Sequence, residues 1–298
     1  MKRVVVLLAA SLIAASTAAC SGAAGPQESP GGQMGVTASF YPLEFAAERV
    51  GGEHVQVTNL TKAGSEPHDL ELTPRAVGDL AKSRVVIYLS GFQPAVDRAV
   101  DTEAGDAAFD VAPQADLSIV SGEGGGPDPH FWLDPVRYAT VVTAVGERFA
   151  AVDPEHANSY RANAAALVAE LGALDSDIAA GLARCDSRDL VTSHTAFAYL
   201  AERYDLGQEG IAGVNPDAEP DAGTLRTLTA FVREHDVSTI YTEALVDPAV
   251  AETVARETGA GVAVLDPLEG LTDASAGRDY LEVMRANLAT VEKGQRCR

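Results

Sequence analysis

Two series of short apolar runs, each run followed by a helical pattern, flank a stretch of residues 134–184 that carries no strand signal. This arrangement most constrains what the chain can fold into. In the first series, strands are expected at Gly35–Phe40, Val55–Leu60 and Val85–Leu89, with weaker ones at Ala107–Val111 and Leu117–Val120. Helices are expected at Leu43–Val50, Pro74–Ala81 and Gln93–Ala99. In the second, the strands are Leu190–Ser193, Glu209–Ile211, Val237–Tyr241 and Val262–Leu265. The helices are Ala196–Tyr204, Asp221–His235, Pro248–Thr258 and Ala274–Glu292. Alternation of this kind implies parallel sheets with right-handed crossovers, and hence an α/β protein of two lobes. Between them, Asp153-Pro154-Glu155 reads as a helix start, with Asp as N-cap and Pro in the first turn. An Ala- and Leu-rich helix from there to residue 185 would be roughly 45 Å long, a stiff rod along both lobes.

Three histidines and an aspartate lie just past apolar runs. They are His68 in GSEPHDLELTP, His130 in DPHFWLDP, His194 in LVTSHTAFAYL and Asp266 in VAVLDPLEG. Ligand sites in parallel α/β sheets lie outside the C-terminal strand ends, so each lobe offers two of these residues at its binding edge. Three imidazoles and a carboxylate fill a tetrahedral site for Zn2+. Placed in a cleft between lobes, they describe capture of an ion rather than folding around one. A single loop histidine is more often a surface or packing residue. His54, His156 and His235 take that reading: His54 precedes a strand, His156 sits in the first turn of the rod, and His235 ends a helix, where a cation suits the dipole. Glu66, Asp69, Asp128, Asp134 and Glu243 are the acids nearest the candidate site. Glu243 ends the strand VSTIYT and suits either an acceptor for a ligating imidazole's second N–H or a general base in a zinc hydrolase. Four ligands disfavour the hydrolase, because catalytic zinc keeps an open position. The Gly-rich SGEGGGPDP lacks the Lys-Ser or Lys-Thr of a phosphate-binding loop; it reads as a loop beside the metal mouth, where Glu123 and Asp128 collect cations weakly.

Lys2 and Arg3, the short apolar run after them and the small residues before Cys20 have the form of an export signal. Thr17-Ala18-Ala19-Cys20 resembles a bacterial lipobox without its usual Leu, which makes Cys20 the expected lipidated residue. The alternative is a secretory signal cleaved without lipidation. Residues 21–34 are Gly, Pro, Ser and Ala with almost no apolar side chains, the composition of a tether. The expected organisation is therefore a signal over 1–19, a lipidated Cys20 and tether over 20–34, an N-terminal lobe over 35–152, a connecting helix over 153–185 and a C-terminal lobe over 186–298. The formal net charge of -21, from 22 basic and 43 acidic residues, together with the lack of any basic run, argues against a nucleic-acid partner. Cys185 and Cys297, the other two cysteines, are most simply a disulfide in an exported protein.

The segments GSEPHDLELTP, SGFQPAVD, DPHFWLDP, VTSHTAFAYLAERYDL and VSTIYTEALVDPAVAETVARETGAGVAVLDPL run from about residue 35 to about 292. In that order they resemble the ZnuA/TroA-like solute-binding proteins of zinc and manganese ABC importers. The resemblance implies two lobes of mainly parallel four-stranded sheet joined by one long rigid helix. It also implies a metal site in the interlobe cleft formed by His68, His130, His194 and Asp266. The implied molecule is not an enzyme. It is an extracytoplasmic monomer, lipid-anchored at the cell membrane, that delivers Zn2+ to the membrane permease of an ABC importer. Manganese-tuned members of the group place Glu where this chain has His194, and three nitrogen donors favour zinc over the harder Mn2+; Mn2+ delivery is the alternative. An adhesion role is a weaker one. Many zinc members carry a His-rich loop before the second ligand; the corresponding loop here is short and His-free.

Overall fold

The computed structural model describes residues 32–120 and 126–298. The expected signal, Cys20 with most of the tether, and Glu123 with part of the Gly-rich loop lie outside the described residues. The last two residues of the expected tether belong to the fold. Gln33 is already fastened by its amide to the carbonyls of Glu53 and Val55 (3.0 and 3.2 Å), and Met34 begins the first strand, buried.

The N-terminal lobe runs β1 (Met34–Ala38), α1 (Tyr41–Gly51), β2 (Val55–Asn59), α2 (Pro74–Leu80), β3 (Val85–Tyr88), α3 (Pro94–Glu103), β4 (Ala108–Asp110) and α4 (Ala112–Ala115). Two helices follow, α5 (Pro135–Val152) and α6 (Ala157–Gly181). The C-terminal lobe is β5 (Asp189–Thr192), α7 (Ala198–Arg203), β6 (Gly207–Gly210), α8 (Ala222–Glu234), β7 (Thr239–Thr242), α9 (Ala249–Thr258), β8 (Gly261–Val264) and α10 (Tyr280–Gly294). The strand orders are β2-β1-β3-β4 and β6-β5-β7-β8, the same arrangement twice, and every pairing between named strands is parallel. The expected fifth strand at Leu117–Val120 does not form. Ser118 turns back onto the Asp116 carbonyl, where Asp116 is left-handed, and Val120 makes one isolated bridge to Pro127 while 64% exposed.

Local chemistry sets the helix starts. The Asp134 carboxylate accepts from the N–H groups of Val136 and Arg137 (2.8 and 3.4 Å), with Pro135 opening α5. The rod begins as a single turn of 3₁₀ helix over Pro154–His156 and continues as the 25 residues of α6, about 37 Å of helix. Its buried face is Tyr160, Ala164, Leu167, Leu171, Leu174 and Ile178, spaced by three and four. Gly146 on α5 lets α6 come close, since a Cβ there would sit 2.9 Å from that of Ala164.

One hydrophobic cluster is continuous from β1 and β3, along α5 and α6, to β5, Leu265 and α10. Aromatic residues join the lobes within it. Tyr280 stacks on Phe45 and lies against Tyr138 (centroids 5.6 and 4.7 Å), and its hydroxyl donates to the Trp132 carbonyl. The Trp132 indole N–H donates to the Pro267 carbonyl at 2.8 Å. Moving the lobes apart as rigid bodies would break a shared core and these buried hydrogen bonds, a substantial penalty.

A disulfide joins Cys185, just past α6, to Cys297, just past α10, a sequence separation of 112. The chain-entropy model gives such a loop about 4–5 kcal/mol as an upper value. With Cys20 replaced, thiol titration of the unfolded, unreduced protein is expected to find no free thiol, and reduction to lower the melting temperature by several degrees. Two reactive thiols per chain would contradict the pairing.

Candidate metal site

The loop after β2 carries His68. It is held from below by Gln93, whose buried amide donates to the Pro67 carbonyl and the Thr61 hydroxyl (3.1 and 3.0 Å), and by the edge of Phe92, whose ring centroid is 4.7 Å from that of His68. His130 sits immediately before a 3₁₀ turn over Phe131–Leu133, whose three side chains are buried. His194 lies two residues beyond β5, and Glu243 directly follows β7. The last two positions are at C-terminal strand ends, where parallel α/β architecture places its sites, and His68 and His130 reach the same place from loops.

His68, His130 and His194 converge, and the fourth member of their group is Glu269, not Asp266. All four are 0–8% exposed. Glu269 Oε1 lies 3.0 Å from His68 Nε2, 3.0 Å from His130 Nε2 and 3.4 Å from His194 Nε2. The Nε2 atoms of His130 and His194 are themselves 3.4 Å apart. Donors bound about 2.0–2.1 Å from a tetrahedral zinc stand roughly 3.3–3.4 Å from one another, so the donor atoms are spaced for one small cation. Glu269 Oε2 is buried with no hydrogen-bond partner, which leaves an acceptor to be satisfied.

Asp266, expected beside the three histidines, has both carboxylate oxygens engaged nearby. Its Oδ1 accepts from the N–H of Leu268 (2.8 Å) and its Oδ2 from the Ser275 hydroxyl (3.0 Å). An Asp before Pro favours just such a turn. The chain reverses around the carboxylate, and the acid three residues on is the one delivered to the cluster. That residue was visible in DPLEG; strand-end position alone favoured the nearer acid.

Two imidazoles are oriented from behind. Asp128 Oδ1 accepts from His130 Nδ1 and from its backbone N–H (2.8 and 2.9 Å). Glu243 Oε2 is 2.7 Å from His194 Nδ1, while Oε1 accepts from the His194 N–H at 3.1 Å. With each Nδ1 against a carboxylate, Nε2 is the atom presented to the site. The histidines set aside by sequence stay outside. His54 stacks on His156, which is tied to Asp153, and His235 stacks on Phe231 beside Asp189. Glu66 spends one oxygen on the backbone of His68 (2.8 Å), and Asp134 caps α5.

Burial drives the electrostatics. It holds the His68 pKa below its ordinary value, against the pull of Glu269. At His130 burial pulls the same way but is overcome by hydrogen bonds to Asp128 and Glu269, and the pKa rises. At His194 burial is again opposed, by the charge of Glu269 and the bond to Glu243, and the pKa reaches about 10. Burial would raise Glu269, yet the charge of His194 and the bonds from all three imidazoles hold it well below the usual carboxylate range.

A model of the family described as ZnuA, zinc-uptake complex component A periplasmic, matches residues 36–294. The zinc-binding lipoprotein AdcA of Streptococcus pneumoniae is 34% identical over 310 residues, an alignment covering 98% of this chain and 61% of that protein. The chain thus spans less than two thirds of that relative. The high-affinity zinc uptake system protein ZnuA of Bacillus subtilis is 30% identical over 293 residues, 91% of each chain. Among solved structures, the laminin-binding protein Lmb of Streptococcus agalactiae superposes with a TM-score of 0.81 at 32% identity, covering 88% of this chain and 99% of that one. The Zn(II)-bound ZnuA-like domain of S. pneumoniae AdcA gives 0.76 at 33% identity, with 89% and 99% covered.

A cation entering this cluster displaces the imidazole protons. The raised pKa of His194 stabilises the metal-free fold below its unfolded value near 6.5 and loses that contribution as pH rises through about 10. Metal affinity therefore runs the other way. It is expected to climb by about tenfold per pH unit for each proton released across pH 6–8. Competition against a chromophoric chelator, with calorimetry in buffers of different ionisation enthalpy, measures this. A flat profile with no proton release would contradict the assignment.

Proposed function

Because the chain belongs to the ZnuA family of zinc-uptake components, we propose that it is the extracytoplasmic binding protein that captures Zn2+ and delivers it to the membrane permease of an ABC-type importer. The observation that carries this reading is the convergence of three Nε2 atoms on Glu269 Oε1, in a buried group whose imidazoles are already oriented by Asp128 and Glu243. We take His68, His130, His194 and Glu269 as the ligands. Three nitrogens and one carboxylate suit a borderline-soft ion better than Mn2+, which prefers oxygen, so Mn2+ is the second cargo.

Glu243 is assigned to orienting His194 rather than to catalysis. Both of its oxygens face His194, and the residue is buried. A cluster of four donors is a holding site, not a hydrolytic one. Residues 35–152 and 186–298 serve as the lobes and 153–185 as the connector. A lipid on Cys20 with a tether behind it would hold a monomeric globule at the outer membrane surface. The lipobox-like sequence supports this, as does the name of the pneumococcal relative, a zinc-binding lipoprotein.

Protein purified without chelators is expected to carry close to one zinc per chain. His194→Ala should weaken Zn2+ binding far more than His156→Ala, and equal small effects would end the assignment. His194→Glu, which exchanges a nitrogen for an anionic oxygen, is expected to lower the Zn/Mn affinity ratio by on the order of tenfold. Competitive titration of the two ions reads this, and an unchanged ratio would remove His194 as a selectivity determinant.

A further inference from the structure

The turn that delivers Glu269 is built in an unusual way. Leu268, the residue before it, is fully buried and has φ +60°. Left-handed backbone is costly for a bulky residue and persists only where the surroundings impose it. The Leu268 side chain lies in the hydrophobic cluster shared by both lobes. Its N–H is taken by Asp266 Oδ1 at 2.8 Å, and the preceding carbonyl, that of Pro267, by the Trp132 indole. Asp266 is itself fixed on three sides. Its N–H donates to Asn287 Oδ1 (3.0 Å), its carbonyl accepts from Asn287 Nδ2 (2.7 Å), and its Oδ2 accepts from Ser275 (3.0 Å). Asn287 belongs to α10 and is buried.

We propose that Asp266 is the positioning residue of the metal site. By accepting the Leu268 N–H it holds the left-handed turn, and through that turn it aims the Glu269 carboxylate at the three imidazoles. The inference rests on the reading of His68, His130, His194 and Glu269 as ligands and adds to it a residue that touches no ion. Relaxation of Leu268 to ordinary backbone would swing residue 269 away from the cluster, and the site would lose its one anionic donor. Ser275 fixes the rotamer of Asp266, so the segment after the turn takes part in setting the fourth ligand. Trp132, two residues past His130, ties the same turn to the opposite lobe. The second and fourth ligands are therefore placed by one connected set of bonds.

The test uses the whole soluble chain with Zn2+ competition titration and the visible absorption of the Co2+-loaded protein, whose band intensity distinguishes four-coordinate from higher-coordinate metal. Asp266→Ala is expected to weaken Zn2+ binding by about 10–100-fold, the range for residues behind the ligands, and to diminish the intense Co2+ bands. Asp266→Asn keeps an oxygen for the Leu268 N–H and should recover most of the affinity and the bands. Ser275→Ala should fall between them. Glu269→Gln should lose at least as much as Asp266→Ala. If Asp266→Ala fails to fold, as judged by circular dichroism, the Asn and Ser275 variants still decide. Equal losses in the Asn and Ala variants would make the Asp266 charge itself the ligand and overturn the proposal. Full affinity in Asp266→Ala or Ser275→Ala beside a loss in Glu269→Gln would overturn it while leaving the ligand assignment intact. Full affinity in Glu269→Gln would overturn both.

Discussion

A buried carboxylate facing three imidazoles is the constraint on which the rest of this structure depends. Glu269 is sealed from water with one oxygen unpartnered and the other shared among three Nε2 atoms. An isolated anion in such a place is very costly, so the group must hold protons or a cation. Asp128 and Glu243 behind the rings make the same demand from the other side. A divalent ion answers both at once. It replaces the protons, satisfies the carboxylate and finds the donor atoms already spaced for it. Binding therefore costs little reorganisation of the ligands themselves, which is how a small site reaches high affinity.

The scaffold explains why this preorganisation survives. A 25-residue helix packs along both lobes, and one hydrophobic cluster is shared between them. Trp132, Tyr138 and Tyr280 add buried hydrogen bonds and ring contacts at the junction. His68 stands on a loop rather than at a strand end and, at 8%, is the most exposed of the four. Ion entry and release are accordingly expected to involve local movement near His68 more than separation of the lobes.

Much of this was legible in the chain. The two strand–helix series gave the two parallel sheets, and all eight observed strands overlap expected ones. The residues without strand signal became α5 and α6. His68, His130 and His194 stood out because each follows an apolar run at a binding edge, and each lies in the cluster. Where the structure differs from the sequence reading, the causes are physical. Leu117–Val120 has strand composition, but the chain turns at Asp116, whose left-handed backbone and bond from Ser118 take the segment out of the sheet. Asp266 has the right position and chemistry, but an Asp-Pro turn consumes its carboxylate on local backbone, and only the three-dimensional path of the next three residues shows Glu269 arriving in its place. Local hydrogen bonding decides between two nearby acids, and spacing along a sequence does not carry that information.

The most direct test of the central claim is zinc-edge X-ray absorption of the protein loaded with one Zn2+ per chain. Three imidazole ligands and carboxylate oxygen at about 2.0–2.1 Å, with no sulfur scattering, is the result predicted by ligation through His68, His130, His194 and Glu269. Fewer than three imidazoles in the first shell, or an all-oxygen shell, would contradict it.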